Sequence, residues 1–383
     1  MSPNIGVMEL HANVEDIYIQ ASLAKHCDAK VTIFTTELLY EKVLPFFEED
    51  KEDYNWFIQP KEESFGRFLK RVEKHCTDEI DLLFVNTLIA LPHHQLSYYL
   101  FRPNCKIVHV VGRIERFFGE WHPIRYSSIR QFALSVLANA SQCIANRTFE
   151  HFDGIWVENK DAYNYAVSAG YKKKIFSLPY HYTRKKVQRY EYSDKLKFIT
   201  IGTLCRYRRD YDGLLDVFEK LFDSGRKDIT LTLLGAPVDR KGFQTIDRCR
   251  KLIEKGLDIH YYTEYVPEEV VNKEILSADI IINPNNDLSL YSTGTFGAVV
   301  KAIQFAKPGI YPMKSLHHEE LISSSLLYSK IEELLGIIEN LLSNPENLKE
   351  LSENAALNSQ KFSFETVASK FQESVLQRCL IDS

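Results

Sequence analysis

Along this 383-residue chain, short apolar runs alternate with longer stretches in which apolar residues recur every three or four positions. The runs at 5–10, 30–35, 81–86, 106–111, 154–157 and 174–179 predict strands, and the stretches at 14–26, 65–75 and 127–145 predict helices. From 197 the same grammar begins again. Strands predicted over 197–202, 229–235, 259–262, 279–284 and 309–312 alternate with helices over 214–222, 244–255, 268–277, 297–305 and 329–342, and 363–380 predicts a last helix. Strands alternating with helices form parallel sheets covered on both faces. No short-period repeat is present, which excludes a solenoid.

Composition acts mainly by exclusion. Hydrophobic residues make up 45% and charged residues 26%, a globular balance, and 383 residues suit two domains rather than one. A net charge of −5 and a pI near 6.2 argue against a nucleic-acid binder. No apolar run is long enough to span a bilayer, and the start MSPNIGVMELH reads as a first strand rather than a signal peptide. Seven cysteines without a Cys-x-x-Cys pair read as reduced, mostly buried thiols of a cytoplasmic protein. The stretch 171–189 holds seven Lys or Arg and no acid. It is the candidate interdomain linker, and Lys172–Lys174 with Lys185–Lys186 make it a candidate for weak peripheral contact with an anionic inner membrane face.

Candidate chemistry gathers where strands end. Residues 278–312 run from a buried strand ending at Asn283-Pro284, through a polar loop, to Thr293-Gly294-Thr295-Phe296-Gly297 at a helix start. A helix N-terminus offers unpaired N–H groups and partial positive charge, which suits a diphosphate, and glycine lets backbone approach it closely. The same glycines also serve an ordinary turn. The loop Gly202-Thr203-Leu204-Cys205-Arg206-Tyr207-Arg208-Arg209 follows the first strand of the second half. Open α/β sheets bind ligands outside the carboxyl ends of their strands, so Arg208 and Arg209 are candidates to clamp that diphosphate with forked donors. A solvated basic loop is the alternative. Asp210-Tyr211-Asp212 has the spacing of a metal site, but its place before a helix reads as a helix start, so no metal is expected.

In the first half, Glu9-Leu10-His11-Ala12-Asn13 sets acid, imidazole and amide at a strand's carboxyl end, and Gly112-Arg113-Ile114-Glu115-Arg116 leaves another strand at the same edge. Glu9, His11, Arg113 and Glu115 are therefore candidates for acceptor contact or proton transfer. His93-His94 is expected at the surface. There is no Gly-x-Gly-x-x-Gly after the first strand, no P-loop and no Gly-x-Ser-x-Gly, which argues against dinucleotide oxidoreductases, P-loop enzymes and α/β-hydrolases.

In order along the chain, the second half resembles the donor domain of GT-B glycosyltransferases of the family 4 group. Ala278-Asp279-Ile280-Ile281-Ile282-Asn283-Pro284 resembles that family's strand, Lys307-Pro308-Gly309-Ile310 its exit strand, and His317-His318-Glu319-Glu320-Leu321-Ile322 the stretch beyond. Ile201-Gly202-Thr203-Leu204 with Arg208 and Arg209 resembles its phosphate loop, residues 231–235 its Leu-x-x-x-Gly strand, and Glu264-Tyr265-Val266-Pro267 its base-contacting turn. Ser177-Leu178-Pro179-Tyr180 sits at its linker entry. The family's two glutamates, which help hold donor sugar and ribose, fall on Thr293 and Lys301. Its usual histidine after the central first-domain strand falls near Gly112.

The resemblance implies an α/β, GT-B architecture: two Rossmann-like domains, their parallel sheets facing across a cleft. It places an acceptor domain at 1–182, joined by a returning helix at 363–383, and a donor domain at 183–362. Donor-binding residues would be Gly202, Thr203, Arg206, Arg208, Arg209, Glu264, Tyr265, Val266, Thr293, Gly294, Thr295, Phe296 and Lys301. Lys301 would meet phosphate or stand in solvent. The implied reaction moves a sugar from a nucleoside-diphosphate donor to a hydroxyl of a saccharide or lipid-linked acceptor in glycan or glycolipid synthesis. It would need no metal or other cofactor and would retain anomeric configuration. Two alternatives stay open: a non-catalytic homologue that binds a glycan, nucleotide or partner enzyme, and an epimerase using Glu9, His11 or Glu115.

Overall fold

The structure, a computed structural model, describes residues 2–11, 14–47, 50–88, 92–112, 114–118, 129–179, 181–183, 194–205, 209–285, 297–316 and 318–380. The chain divides into two compact units, Met1–Tyr180 with Val367–Ser383, and His181–Thr366.

Seven strands build the first unit: β1 (Asn4–Met8), β2 (Lys30–Thr36), β3 (Asn55–Gln59), β4 (Leu82–Val85), β5 (Lys106–Val111), β6 (Gly154–Val157) and β7 (Lys174–Ser177). They form one parallel sheet in the order β3-β2-β1-β4-β5-β6-β7. The chain leaves β1 in both directions, so the carboxyl ends of β1 and β4 mark the switch point where such sheets take ligands. Every residue of β4 and β6 is buried, as helices on both faces require. Strand alternation feeds two cores. In β6, Ile155 and Val157 join Phe117 and Phe149, while Trp156 between them packs on Phe84 and Phe371. Helix Phe65–Glu79 turns Phe68, Leu69, Val72 and Cys76 toward Phe34 and Leu83, at the three- and four-residue spacing of one helical face. Phe371 is fully buried, so the C-terminal segment is a fixed part of this unit.

The second unit repeats the plan with β8 (Leu196–Ile201), β9 (Ile229–Leu234), β10 (Ile259–Tyr261), β11 (Ile280–Ile282), β12 (Gly309–Pro312) and β13 (Ser325–Tyr328). All are parallel, in the order β10-β9-β8-β11-β12-β13, with the switch point between β8 and β11. Ile280 and Ile282 face one core with Leu214 and Phe218, and Ile281 faces another with Ala298 and Ile303. Helix ends are fixed by side chains: Asp210 accepts from the Gly213 amide at 2.9 Å and Asp239 from the Gly242 amide at 2.8 Å. Asp210 is thus the N-cap of helix Tyr211–Asp223, and Asp212 pairs with Lys241 and Arg248.

Some sequence expectations are corrected. Strands β3 and β13 were not expected. Both are edge strands whose residues are mostly half-exposed, so neither shows a clean apolar period. The first part of the supposed linker 171–189 belongs to the first unit. Tyr171 packs on Phe149, residues Lys174–Ser177 form β7, and the Lys173 ammonium donates to the Phe152 carbonyl at 2.6 Å. Residues 184–189 lie outside the described residues. All seven cysteines are free, but only Cys76, Cys249 and Cys379 are buried, and Cys143 is exposed. The last helix passes through a π-helical stretch, Gln372–Gln377, before Arg378–Leu380.

Candidate functional site

In the second unit the chemistry centres on the end of β8. Gly202 takes the left-handed φ of +115°, and the Arg209 guanidinium lies over its open face. A side chain at Gly202 would meet that guanidinium, with a Cβ 2.5 to 2.9 Å from its atoms, so the absence of one makes the seat. Arg209 Nη1 donates to the Thr203 carbonyl at 3.3 Å, and the Tyr211 hydroxyl donates to the Gly202 carbonyl at 3.2 Å. The loop after β8 is tied to the end of β11: Arg209 and Asn285 form a backbone bridge, and the Asp210 amide donates to the Pro284 carbonyl at 2.6 Å. Both sides of the switch point are thereby locked together, with a cation between them. Among the described residues Arg209 Nε has no acceptor, and neither amide atom of the fully buried Asn283 has a partner. Buried donors without partners are costly, and such groups mark a place where a polar ligand would be stabilised.

The other donor candidates are placed as follows. Glu264 and Tyr265 follow β10 and are exposed, Tyr265 by 86%, while Val266 anchors the turn in the core. Lys301, on helix Gly297–Phe305, is neither solvated nor unpaired. Its ammonium donates to the Glu268 carboxylate at 3.1 Å, and only 12% of the side chain is exposed. Arg206, Arg208, Thr293, Gly294, Thr295 and Phe296 lie outside the described residues.

In the first unit, Glu9 and His11 sit at the end of β1 as their spacing requires, and β4 supplies their partners. The buried Glu9 carboxylate accepts from the His11 amide at 2.7 Å, the Thr87 hydroxyl at 2.7 Å and the Thr87 amide at 3.2 Å. A reciprocal Gln20–Asn86 pair, at 2.6 and 3.1 Å, holds the residue before Thr87. The His11 ring stacks on Phe65 and His94 at 5.5 and 5.4 Å, and its Nε2 lies 3.3 Å from the Tyr98 hydroxyl. Burial, helped by the nearby His94, pulls the His11 pKa down to about 4. Burial, with the charge of Glu9, pushes Tyr98 well above its usual value, so the phenol keeps its proton. His11 is therefore a neutral imidazole at neutral pH, with its Nε2 engaged by the Tyr98 hydroxyl.

His94 is not a surface residue as expected. It stacks 4.1 Å from Phe65 inside this aromatic group. Glu115 opens the short helix Glu115–Phe118 beyond β5, with β4 between that strand and β1. Arg113 and Asn13 lie outside the described residues. Sequence reasoning did not find Thr87, Tyr98 or Asn283 as site residues. Thr87 and Asn283 sit just past strands flanking a switch point, a signal that strand order alone would have supplied.

No protein-family model matches the sequence, and no curated protein matches it. Solved structures do. Anabaena HepE in complex with UDP is similar over 98% of this chain and 100% of its own, with 14% identity and a TM-score of 0.66. A glycosyltransferase from Rickettsia africae is similar over 100% of both chains, with 13% identity and a TM-score of 0.69. Sucrose-phosphate synthase from Thermosynechococcus elongatus is similar over 100% of both chains, with 12% identity and a TM-score of 0.67. With its two parallel Rossmann-like sheets, this chain has the GT-B fold of these glycosyltransferases.

Proposed function

We propose that the chain is a glycosyltransferase that moves a sugar from a nucleoside-diphosphate sugar to an acceptor hydroxyl. The observation that carries this reading is the Arg209 guanidinium seated on Gly202 at the β8–β11 switch point, its Nε without an acceptor among the described residues. A fork of donors beside a strand's carboxyl end suits a diphosphate leaving group. The fold likeness supports the same ligand class, since one HepE structure holds UDP-glucose. In this reading Gly202, Thr203 and Arg209 receive the diphosphate, joined by Arg206, Arg208 and residues 293–296. The turn at Glu264–Val266 meets the base.

In the first unit Glu9, held by Thr87, and the neutral His11 ring would orient a hydroxylated acceptor, with Arg113 and Glu115, which follow β5, as further candidates. Catalysis would rest on positioning and on charge neutralisation at the leaving group, with retention of configuration and without a metal, because Asp210 is committed to capping a helix. Glycan or glycolipid assembly is the setting that fits such a donor.

One observation favours a second reading, a non-catalytic nucleotide- or glycan-binding homologue: Lys301, at a position where the resemblance expects a ribose-holding glutamate, is engaged by Glu268. Titration with UDP, GDP and ADP, followed by turnover of their sugars, separates the two. Binding with release of nucleoside diphosphate supports transfer, and binding without release supports the homologue. An absence of binding overturns the transferase reading and leaves the homologue only as a glycan binder.

A further inference from the structure

Two neighbouring helices of the first unit carry apolar side chains on their outward side. Pro92–Leu100 joins β4 to β5, and Ile129–Phe149 leads into β6. Since β4, β5 and β6 are consecutive in the sheet, right-handed crossovers advancing in one direction set both helices side by side on one face. They pack on each other, and their C-terminal ends meet where the Tyr99 and His151 rings lie 5.3 Å apart. Along the longer helix Phe132, Ala133, Val136, Leu137 and Ala140 are exposed, a stripe of helical spacing, whereas Asn139 and Ser141 are buried. On the shorter helix Leu96 and Leu100, one turn apart, are also exposed. Phe132, Val136, Leu137, Leu96 and Leu100 are exposed by 43, 42, 49, 50 and 64%. A helix in water turns its apolar stripe inward, so an outward stripe calls for an apolar environment outside the chain.

Charge says which. Neither helix contains an acidic residue in a protein of net charge −5. Arg102 after the shorter helix and Arg147 in the last turn of the longer are exposed at the ends that meet, with Glu150 and, beside Arg102, Glu73 as neighbouring acids. Arg102 donates from Nη1 to the Phe101 carbonyl at 2.7 Å and keeps its other donors. We propose that this face docks on an anionic lipid surface, with the stripe in the headgroup region and the arginines on lipid phosphates. A second copy is the competing occupant, and the oligomeric state separates it from a lipid surface. In the basic stretch 171–189, Lys173 and Lys174 donate to the Phe152 and Arg378 carbonyls, and residues 184–189 lie outside the described residues.

Co-sedimentation with phosphatidylcholine vesicles, with and without phosphatidylglycerol, tests it at low and physiological salt. The chain is expected to pellet with the anionic vesicles, less so as salt rises. Val136→Asp with Leu137→Asp should raise the lipid concentration for half-binding about tenfold or more. Leu96→Ser with Leu100→Ser, on the other helix, should weaken binding independently, and Leu357→Asp, at an exposed position of the second unit, should not. Thermal melts confirm that each variant is folded. Absence of pelleting, or pelleting unchanged in both pairs, overturns the proposal. So does a dimer seen by light scattering that the same pairs dissociate while vesicles go unbound.

Discussion

Replacing Gly202 with alanine tests whether the seat of Arg209 matters for ligand binding. The left-handed φ of +115° gives alanine a backbone strain of about 1–2 kcal/mol. Its Cβ would lie 2.5 Å from Nη2 and 2.9 Å from Cζ and Nη1 of Arg209. The guanidinium is the free end of a flexible side chain, so it moves and the sheet does not. The fold should therefore survive with a melting point lower by roughly 3–6 °C. If a nucleoside diphosphate binds as proposed, displacing the cation removes a charge-assisted contact to it of about 1.5–3 kcal/mol, a rise in its Kd of roughly 10- to 150-fold. Arg209→Ala should weaken that nucleotide by the same factor without the strain. Because both changes act through one guanidinium, the double variant should bind it no worse than Arg209→Ala alone. Calorimetric titration of the four proteins completes the cycle. Additive losses, or wild-type affinity in either single variant, would refute the reasoning.

Lys301→Glu sets two carboxylates face to face with Glu268 and should cost about 1–2 kcal/mol, recovered by adding Glu268→Lys. A changed affinity for nucleoside diphosphate with an unchanged melt would instead place Lys301 at the donor. Gly235→Ala would put a Cβ 2.2 Å from the Gly202 carbonyl oxygen, backbone against side chain, and should destabilise the second unit by about 3 kcal/mol, read in chemical unfolding. His109, buried among Phe117, Phe149 and Phe152, has its pKa pulled from 6.5 to about 4 by burial, against its hydrogen bond to Val85. Between those values the unfolded chain takes up the proton and the folded chain does not, so stability falls as pH drops from 6.5 toward 4, by at most roughly 3 kcal/mol for this group. His109→Phe keeps the ring packing and should reduce proton uptake on unfolding near pH 5 by close to one; an unchanged slope of unfolding free energy against pH would contradict this.

The fold was legible where burial is two-sided. Continuous apolar runs such as Ile280–Ile282 and Gly309–Pro312 have one reading, and the periodic helices Glu268–Ser277 and Gly297–Phe305 match their expected bounds. Edge strands blurred because half-exposed residues such as those of Asn55–Gln59 tolerate polar neighbours, which erases the period. At the site, strand ends could be read but pairings could not. Glu9 and His11 stand where expected, yet what defines them is Thr87, 78 positions from Glu9, and Tyr98, 87 positions from His11. Lys301 read as a free cation because Glu268, 33 positions earlier, gives no local sign of facing it. Such long-range pairs follow from strand order, which a single sequence does not state.

The most direct test of the central claim is the release of nucleoside diphosphate from a panel of UDP-, GDP- and ADP-sugars, offered with saccharide and lipid-phosphate acceptors. The account predicts that one donor turns over only with an acceptor, and that Arg209→Ala slows release at saturating acceptor while Leu357→Asp does not. Tight binding of a nucleotide with no release from any sugar would contradict transferase activity, and release unaffected by Arg209→Ala would contradict the site.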